Sequence, residues 1–232
     1  LDAPAGEVGR AVADVWPTLT TRSAWTMLRR RATRERLGAP PDLAAVALPA
    51  RPGGALGDEV RARVEGVPAS YGHVIVDEAQ DLSLLQLRAV ERRSSGLTLV
   101  GDDAQRSAPG GLGLRHLAGR LGVDAAEMAT AYRMSAEIAD WLNAHARAHD
   151  IDAVELLGIR PTGRPVGRSD DPDAAGAGLR ARWDTVAVIG AGAVWEHKGV
   201  ECDGVVVDTR GMDPSEVYLA ASRAAHELVV VA

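Results

Sequence analysis

The 232-residue sequence holds a single cysteine, Cys202, and a single lysine, Lys198, among 26 basic residues. It also lacks any apolar run approaching the roughly 20 residues that a membrane-spanning helix needs. One thiol excludes an internal disulfide and a cysteine-based zinc cage. The six histidines are scattered without ligand spacing, so a metal held by protein ligands alone is not expected. The first residues carry neither the basic nor the apolar region of a secretory signal, which predicts a cytoplasmic protein with no membrane association. A formal charge of −6 and a pI near 5.5 give no chain-wide nucleic-acid footprint, so any such contact must be local.

What is present centres on His73-Val74-Ile75-Val76-Asp77-Glu78-Ala79-Gln80-Asp81. A short apolar run that ends in carboxylates fits a buried parallel strand, and open α/β sheets gather their ligands at the carboxyl ends of such strands. Ser83, followed three residues later by Gln86, is a capping-box pattern that predicts a helix from Ser83 to about Arg93. A second strand, Leu97 to Val100, runs into Gly101-Asp102-Asp103-Ala104-Gln105. Strand, helix and strand make one right-handed crossover, which brings Asp77 and Asp102 to one edge of a parallel sheet.

Upstream of this unit, residues 1 to 65 read as mostly helical. Pro17 and the threonines after it can open a helix through Trp25 and Leu28 that continues into the arginine run from Arg29 to Arg36, read as a solvated helix face. Residues 38 to 57, rich in Pro, Gly and Ala, read as a loop. Downstream, Gly110, Gly111 and Gly113 form a joint before a helix from Leu114 to Leu121. Ser135 caps a helix whose Ile138, Leu142 and Ala146 repeat at helical spacing. Residues 161 to 178 read as a loop or shortened connection. Strands are predicted at Thr185 to Ile189, Gly204 to Val207 and Leu228 to Val231, with a capped helix starting at Asp213-Pro214-Ser215-Glu216.

Asp77 and Glu78 are the strongest candidates for chemistry. An aspartate at a strand end can hold Mg²⁺, largely through water, and the next carboxylate can polarise an attacking water. Gln105, close by, can bond both a phosphate oxygen and a water, as a γ-phosphate sensor must. Ile189-Gly190-Ala191-Gly192 looks like the start of a dinucleotide fingerprint, but Trp195 stands at the third glycine position and too few residues follow for a full helix.

Five motifs in order resemble the superfamily 1 helicase ATPases of the UvrD/Rep type, most closely their HelD-like branch. Val76 to Asp81 is similar to the Walker B motif, and Val100 to Gln105 to motif III. Ala131-Tyr132-Arg133 is similar to Asn-Tyr-Arg apart from its first residue. Lys198-Gly199-Val200-Glu201 resembles Lys-Gly-Leu-Glu, and Tyr218 to Ala224 resembles Tyr-Val-Ala-x-Thr-Arg-Ala. The resemblance implies an α/β, RecA-like P-loop NTPase fold. Residues 1–118 would form a helical segment and an incomplete first RecA-like domain, and residues 119–232 a reduced second one. It further implies ATP and Mg²⁺ as cofactors, with Asp77 on the metal and Glu78 activating water. Gln105 would read the γ-phosphate, Arg133 and Arg223 would neutralise transition-state charge, Tyr132 would stack on adenine, and Glu201 with Gly199 would hold the ribose side.

The departures carry equal weight. The sequence contains no Gly-x-x-x-x-Gly-Lys-Thr loop, and its one lysine lies in a different motif. That loop either belongs to a longer parent protein or has been lost. Arg106-Ser107-Ala108-Pro109 lacks the aromatics that UvrD/Rep relatives use to stack single-stranded DNA, and Cys202 replaces a usual aromatic. Two readings stay open: a portion of an ATP-dependent helicase or translocase, inactive as these 232 residues, or a non-catalytic module that binds RNA polymerase or nucleic acid. DNA and RNA polymerase are the partners implied; the oligomeric state is not legible.

Overall fold

The computed structural model describes residues 19–67, 70–108 and 110–232. Pro17, expected to open the first helix, and Pro109 lie outside them. The described chain packs as two compact units: one runs up to Val76 and includes Ser83–Thr98, and the other comprises Asp77–Leu82 with Leu99–Ala232.

The first unit opens with α1, Thr21–Leu28, capped by a reciprocal Thr20–Ser23 box rather than by proline. Trp25 is 2% exposed and donates its indole N–H to Pro49 O at 2.9 Å. The helix does not continue through the arginine run: α2, Arg31–Arg36, is separate. Within that run Arg34 is structural, its guanidinium donating to Leu28 O, to Ala44 O at 2.7 Å and to Val46 O at 2.9 Å. Two helices break the expected 38–57 loop. They are α3, Pro41–Ala45, with Pro at its start, and α4, Gly54–Val64. A first-turn proline in α3, and the burial of Gly57 and Val60 in α4, outweigh a turn-rich composition.

Next come β1, Val74–Val76, α5, Leu84–Glu91, and β2, Leu97–Leu99, with the predicted Ser83–Gln86 capping box in place. β1 and β2 form a two-stranded sheet, flanked by a parallel Tyr71–Ser94 bridge. β1 is not the buried strand expected, since Ile75 is 72% exposed and Val74 and Val76 are only half-buried in a sheet of two strands. Asp58 and Glu59 on α4 pair with Arg92 and Arg93 after α5, and the Arg93 and Arg92 guanidiniums hold the Asp58 carboxyl at about 2.

In the second unit, α6, Leu114–Leu121, leads to the short strand β3, Thr130–Ala131. Helix α7, Ala136–Ala148, is capped by Ser135 and buries Ile138, Leu142 and Ala146, as their spacing predicts. Strand β4, Leu157–Gly158, pairs in parallel with β3. The stretch expected to be a loop instead holds β5, Gly167–Ser169, and α8, Pro172–Arg180. Asp171 caps that helix by accepting from Asp173 N and Ala174 N, with Pro172 in the first turn. Gly176 lets α8 close on the sheet, because a Cβ there would sit 2.8 Å from Val188 Cγ2.

Strands β6, Val186–Ile189, and β7, Cys202–Asp208, are followed by α9, Pro214–Ala221, and β8, Ala224–Val231. The sheet order is β5-β8-β7-β6 and all three pairings are parallel. Successive residues of β7 face opposite sides. Val205 and Val207 join Ile138, Leu142, Val217, Leu219 and Leu228 in the main core, while Val206 packs with Leu179 of α8. This alternation sandwiches the sheet between helices on both faces. The architecture is α/β with parallel sheets, as expected. Among the described residues no helix is long and apolar enough to cross a membrane.

Candidate active site

Every expected site residue belongs to the second unit, together with the five residues that follow Asp77. The chain leaves β1 through Asp77, whose Oδ1 accepts the Glu78 amide at 2.9 Å. Glu78 is held in the left-handed region, at φ 54° and ψ 36°, where non-glycine residues are uncommon. A turn of 3₁₀ helix, Ala79–Asp81, follows, and Ala79 N is fixed to Val100 O at 2.9 Å.

Gln80, 1% exposed, is the bolt of this corner. Its Nε2 donates to Glu78 Oε2 at 2.7 Å, its Oε1 accepts Asp102 N at 3.2 Å, and its backbone oxygen accepts Gly113 N at 3.0 Å. Gly101 is required beside it, since a Cβ there would overlap Gln80 Oε1. The ends of the two predicted strands are thus joined by a side-chain amide.

From Asp102 the network continues to the far end of the chain. Asp102 Oδ1 caps the Asp103–Gln105 turn through Ala104 N, and Oδ2 accepts Gln105 Nε2 at 2.8 Å. Gln105 Oε1 in turn accepts the Arg223 guanidinium. Arg223 is 5% exposed and also donates to Ser222 Oγ at 2.8 Å. Burial, followed by repulsion from Arg133, lowers its pKa; Glu78, Asp102 and Glu201 act the other way. Arg133 donates to Glu201 Oε1 at 2.6 Å and to Ser222 O at 3.1 Å, while its buried Nε has no partner among the described residues. Tyr218 lies beneath, 3% exposed, its phenol pKa raised by burial and then by the Asp102 charge.

Four residues given no role from sequence organise this site: Gln80, Asp81, Ser107 and Lys198. Lys198 Nζ reaches Asp81 Oδ2 at 2.5 Å, Ser107 Oγ at 2.9 Å, Gln105 O at 3.0 Å and Glu78 Oε2 at 3.2 Å. Asp81 also accepts Ser107 N at 2.7 Å, Ala108 N at 2.9 Å and Ser107 Oγ at 2.8 Å. Burial alone would raise the Asp81 carboxyl. The Ala108 amide, Lys198 and the two Ser107 donors outweigh it and hold the pKa at about 2. The signal was available in two places: the acid and amide that follow Asp77-Glu78 directly, and the isolation of one lysine among 25 arginines.

Asp77, Glu78, Gln105 and Arg223 are therefore linked through Gln80 and Asp102, and Arg133 with Glu201 adjoins Arg223 through Ser222. Tyr132 and Gly199 stand apart from these bonds. Tyr132 is 73% exposed, and Gly199 sits in an open turn at φ +76° with nothing within 4 Å of a Cβ. Among the described residues no three His, Cys, Asp or Glu side chains group as metal ligands.

No protein-family model and no curated protein matches the sequence. Solved structures do. The structure of PRRSV helicase is similar at a TM-score of 0.51 and 19% identity over 72% of this chain and 36% of that one. Arterivirus nonstructural protein 10 (helicase) in complex with DNA is similar at 0.51 and 17% identity over 98% of this chain and 58% of that one. The same arterivirus helicase in a separate crystal structure gives 0.51 and 17% over 98% and 57%. The chain shares the parallel α/β fold of these proteins. Its parallel α/β layers correspond to the RecA-like domains of these helicases, and it spans at most 58% of their length.

Proposed function

We propose that this chain supplies the Walker B, γ-phosphate-sensing and arginine part of a superfamily 1 ATPase site, in the UvrD/Rep lineage and closest to its HelD-like branch. The observation that carries the reading is the unbroken hydrogen-bonded path from Glu78 through Gln80, Asp102 and Gln105 to Arg223. A carboxylate that can orient water is thereby tied to a guanidinium that can neutralise phosphate.

The donor set fits one end of a Mg²⁺–nucleotide. Asp77 offers Oδ2, which no donor among the described residues occupies, and Mg²⁺ needs few protein oxygens because it keeps most of its water. Bound Mg²⁺–ATP would supply the phosphoryl group to be cleaved. Glu78 would orient the water, Gln105 would read the γ-phosphate, and Arg133 and Arg223 would offset developing charge. Tyr132, exposed as an adenine-stacking ring must be, and Glu201 with Gly199 would flank the nucleoside. A phosphate cradle is not among these residues. The domain reading, a partial first RecA-like part up to residue 118 and a reduced second one from 119, belongs to the same proposal. So does nucleic acid as partner, supported by likeness to a helicase solved with DNA.

The 232 residues alone are expected to show no ATPase, because catalysis of this kind rests on positioning and charge stabilisation that a phosphate loop shares. In the product of the complete reading frame that contains them, Glu78→Gln should lower ATP turnover by about 10² or more. Unchanged turnover in that variant would overturn the proposal.

A second reading, a non-catalytic module on RNA polymerase or nucleic acid, is favoured by one observation: Glu78 Oε2 is already taken by Gln80 and Lys198. The absence of aromatics at Arg106, Ser107 and Ala108 leans towards the polymerase. ATPase activity of the 232-residue chain that vanishes in Glu78→Gln would exclude this reading.

A further inference from the structure

Charge is divided very unevenly along this acidic chain. Residues 19–67, 70–76 and 83–98, the described part of the first unit, carry twelve arginines and no lysine against six acids. These described residues therefore carry +6 in a chain of formal charge −6, and all the other residues together carry −12. Arg92, Arg93, Arg63 and Arg31 spend their charge on Asp58, Glu59 and Glu35, and Arg34 spends its donors on backbone oxygens. Arg22, Arg29, Arg30, Arg36, Arg51 and Arg61 are exposed and have no ion-pair partner among the described residues.

Three of these converge. Arg22, Arg51 and Arg61 line one open concavity of about 720 Å³ with Thr20, Thr21 and Pro52. Its one carboxylate, Glu65, accepts the Thr21 amide at 3.0 Å and offsets one of the three guanidinium charges, which leaves the hollow net positive. The Thr21 hydroxyl faces the same carboxylate and draws the Glu65 pKa down, with Arg61 contributing last. Planar guanidiniums that share one hollow, with further free arginines along α1 and α2, suit phosphate oxygens repeated along a polymer.

The chemistry of the face also selects the form of that polymer. Trp25 is buried, with its indole N–H committed to Pro49, so the concavity offers no ring on which an unpaired base can stack. Duplex nucleic acid needs no such platform and presents a charge for each ~1.7 Å of axis. We propose that the arginine-lined hollow of Arg22, Arg51 and Arg61 binds the phosphate backbone of duplex nucleic acid without regard to sequence.

This proposal does not rest on the nucleotide reading, and its test separates the two. Anisotropy of a fluorescent mixed-sequence DNA duplex should report binding by the 232-residue chain that weakens steeply between 50 and 200 mM salt, values set by the experimenter to span roughly the range over which counterion release is read. The triple variant Arg22→Ala/Arg51→Ala/Arg61→Ala should lose at least about tenfold in affinity and flatten the log–log salt slope by about 3. The single charge reversal Arg51→Glu, at an exposed position with no ion-pair partner among the described residues, should weaken binding in the same direction. Glu78→Gln should leave duplex binding unchanged whatever it does to hydrolysis. Wild-type affinity and slope in the triple variant would overturn the assignment. So would tighter binding of a single strand than of the duplex, or preference for a phosphorylated peptide of equal charge.

Discussion

Lys198 Nζ lies 2.5 Å from Asp81 Oδ2, although 117 residues separate them in sequence. Both side chains are largely withdrawn from solvent, at 15% and 22% exposure, so each would be costly without the other. The lysine also ties Asp81 to Ser107, Gln105 and Glu78, and so fixes the strand-end corner to the loop that follows β6.

Removing that lysine should therefore act on stability before it acts on chemistry. Lys198→Met leaves Asp81 without its charged donor, and urea unfolding should show a loss of about 2 kcal/mol, in the range for hydrogen bonds to charged groups. A loss below about 0.5 kcal/mol would mean that the Ser107 and Ala108 donors satisfy Asp81 by themselves.

Asp81 also gives stability a dependence on acid. Its folded pKa of about 2 lies below the ordinary 3.8, so its contribution is present in full above pH 4 and is lost as pH falls towards 2. Asp81→Asn should flatten the fall in unfolding free energy between pH 4 and 2, followed by chemical denaturation at several pH values. Asp58, with the same folded value from its arginines, should still report its own acid step in that variant.

Two glycines in α8 should respond in opposite directions to alanine. Gly178 has nothing within 4 Å of a Cβ, so Gly178→Ala should stabilise by about 0.5–1 kcal/mol through helix propensity. Gly176→Ala puts a methyl 2.8 Å from Val188 Cγ2, and the forced shift against β6 should cancel or reverse that gain. Thermal unfolding of the two variants side by side checks the contrast.

Cys202 provides a native-state probe. It is 8% exposed, and burial followed by the neighbouring Asp203 charge raises its thiol pKa. Native protein should react with a thiol reagent at neutral pH many times more slowly than urea-unfolded protein, because the thiolate is the reactive form. Equal rates would place the thiol in contact with solvent.

The local elements were legible wherever a signal acts over a few residues. The Ser83–Gln86 and Asp213–Glu216 boxes and the Ser135 cap formed as read, because caps are set by neighbours within one turn. The strand before Asp77 formed too, but with Ile75 72% exposed instead of buried, because burial depends on partners outside the segment. The same local view missed α8, where two glycines and an Asp-Pro start look like a loop until the sheet supplies a face for Leu179. It also took Arg34 for solvated, although its partners come from the backbone of the following loop and helix.

The sequence by itself determined the order of the motifs, the α/β class and the residue types available to the site. Only the tertiary structure decided which of them meet. Gln105 and Arg223 are 118 residues apart, Arg133 and Glu201 are 68 apart, and parallel strands joined by helices are what bring such ends to one edge. Ion pairing depends on distance through space, and nothing in the neighbourhood of Lys198 along the chain names Asp81 as its partner.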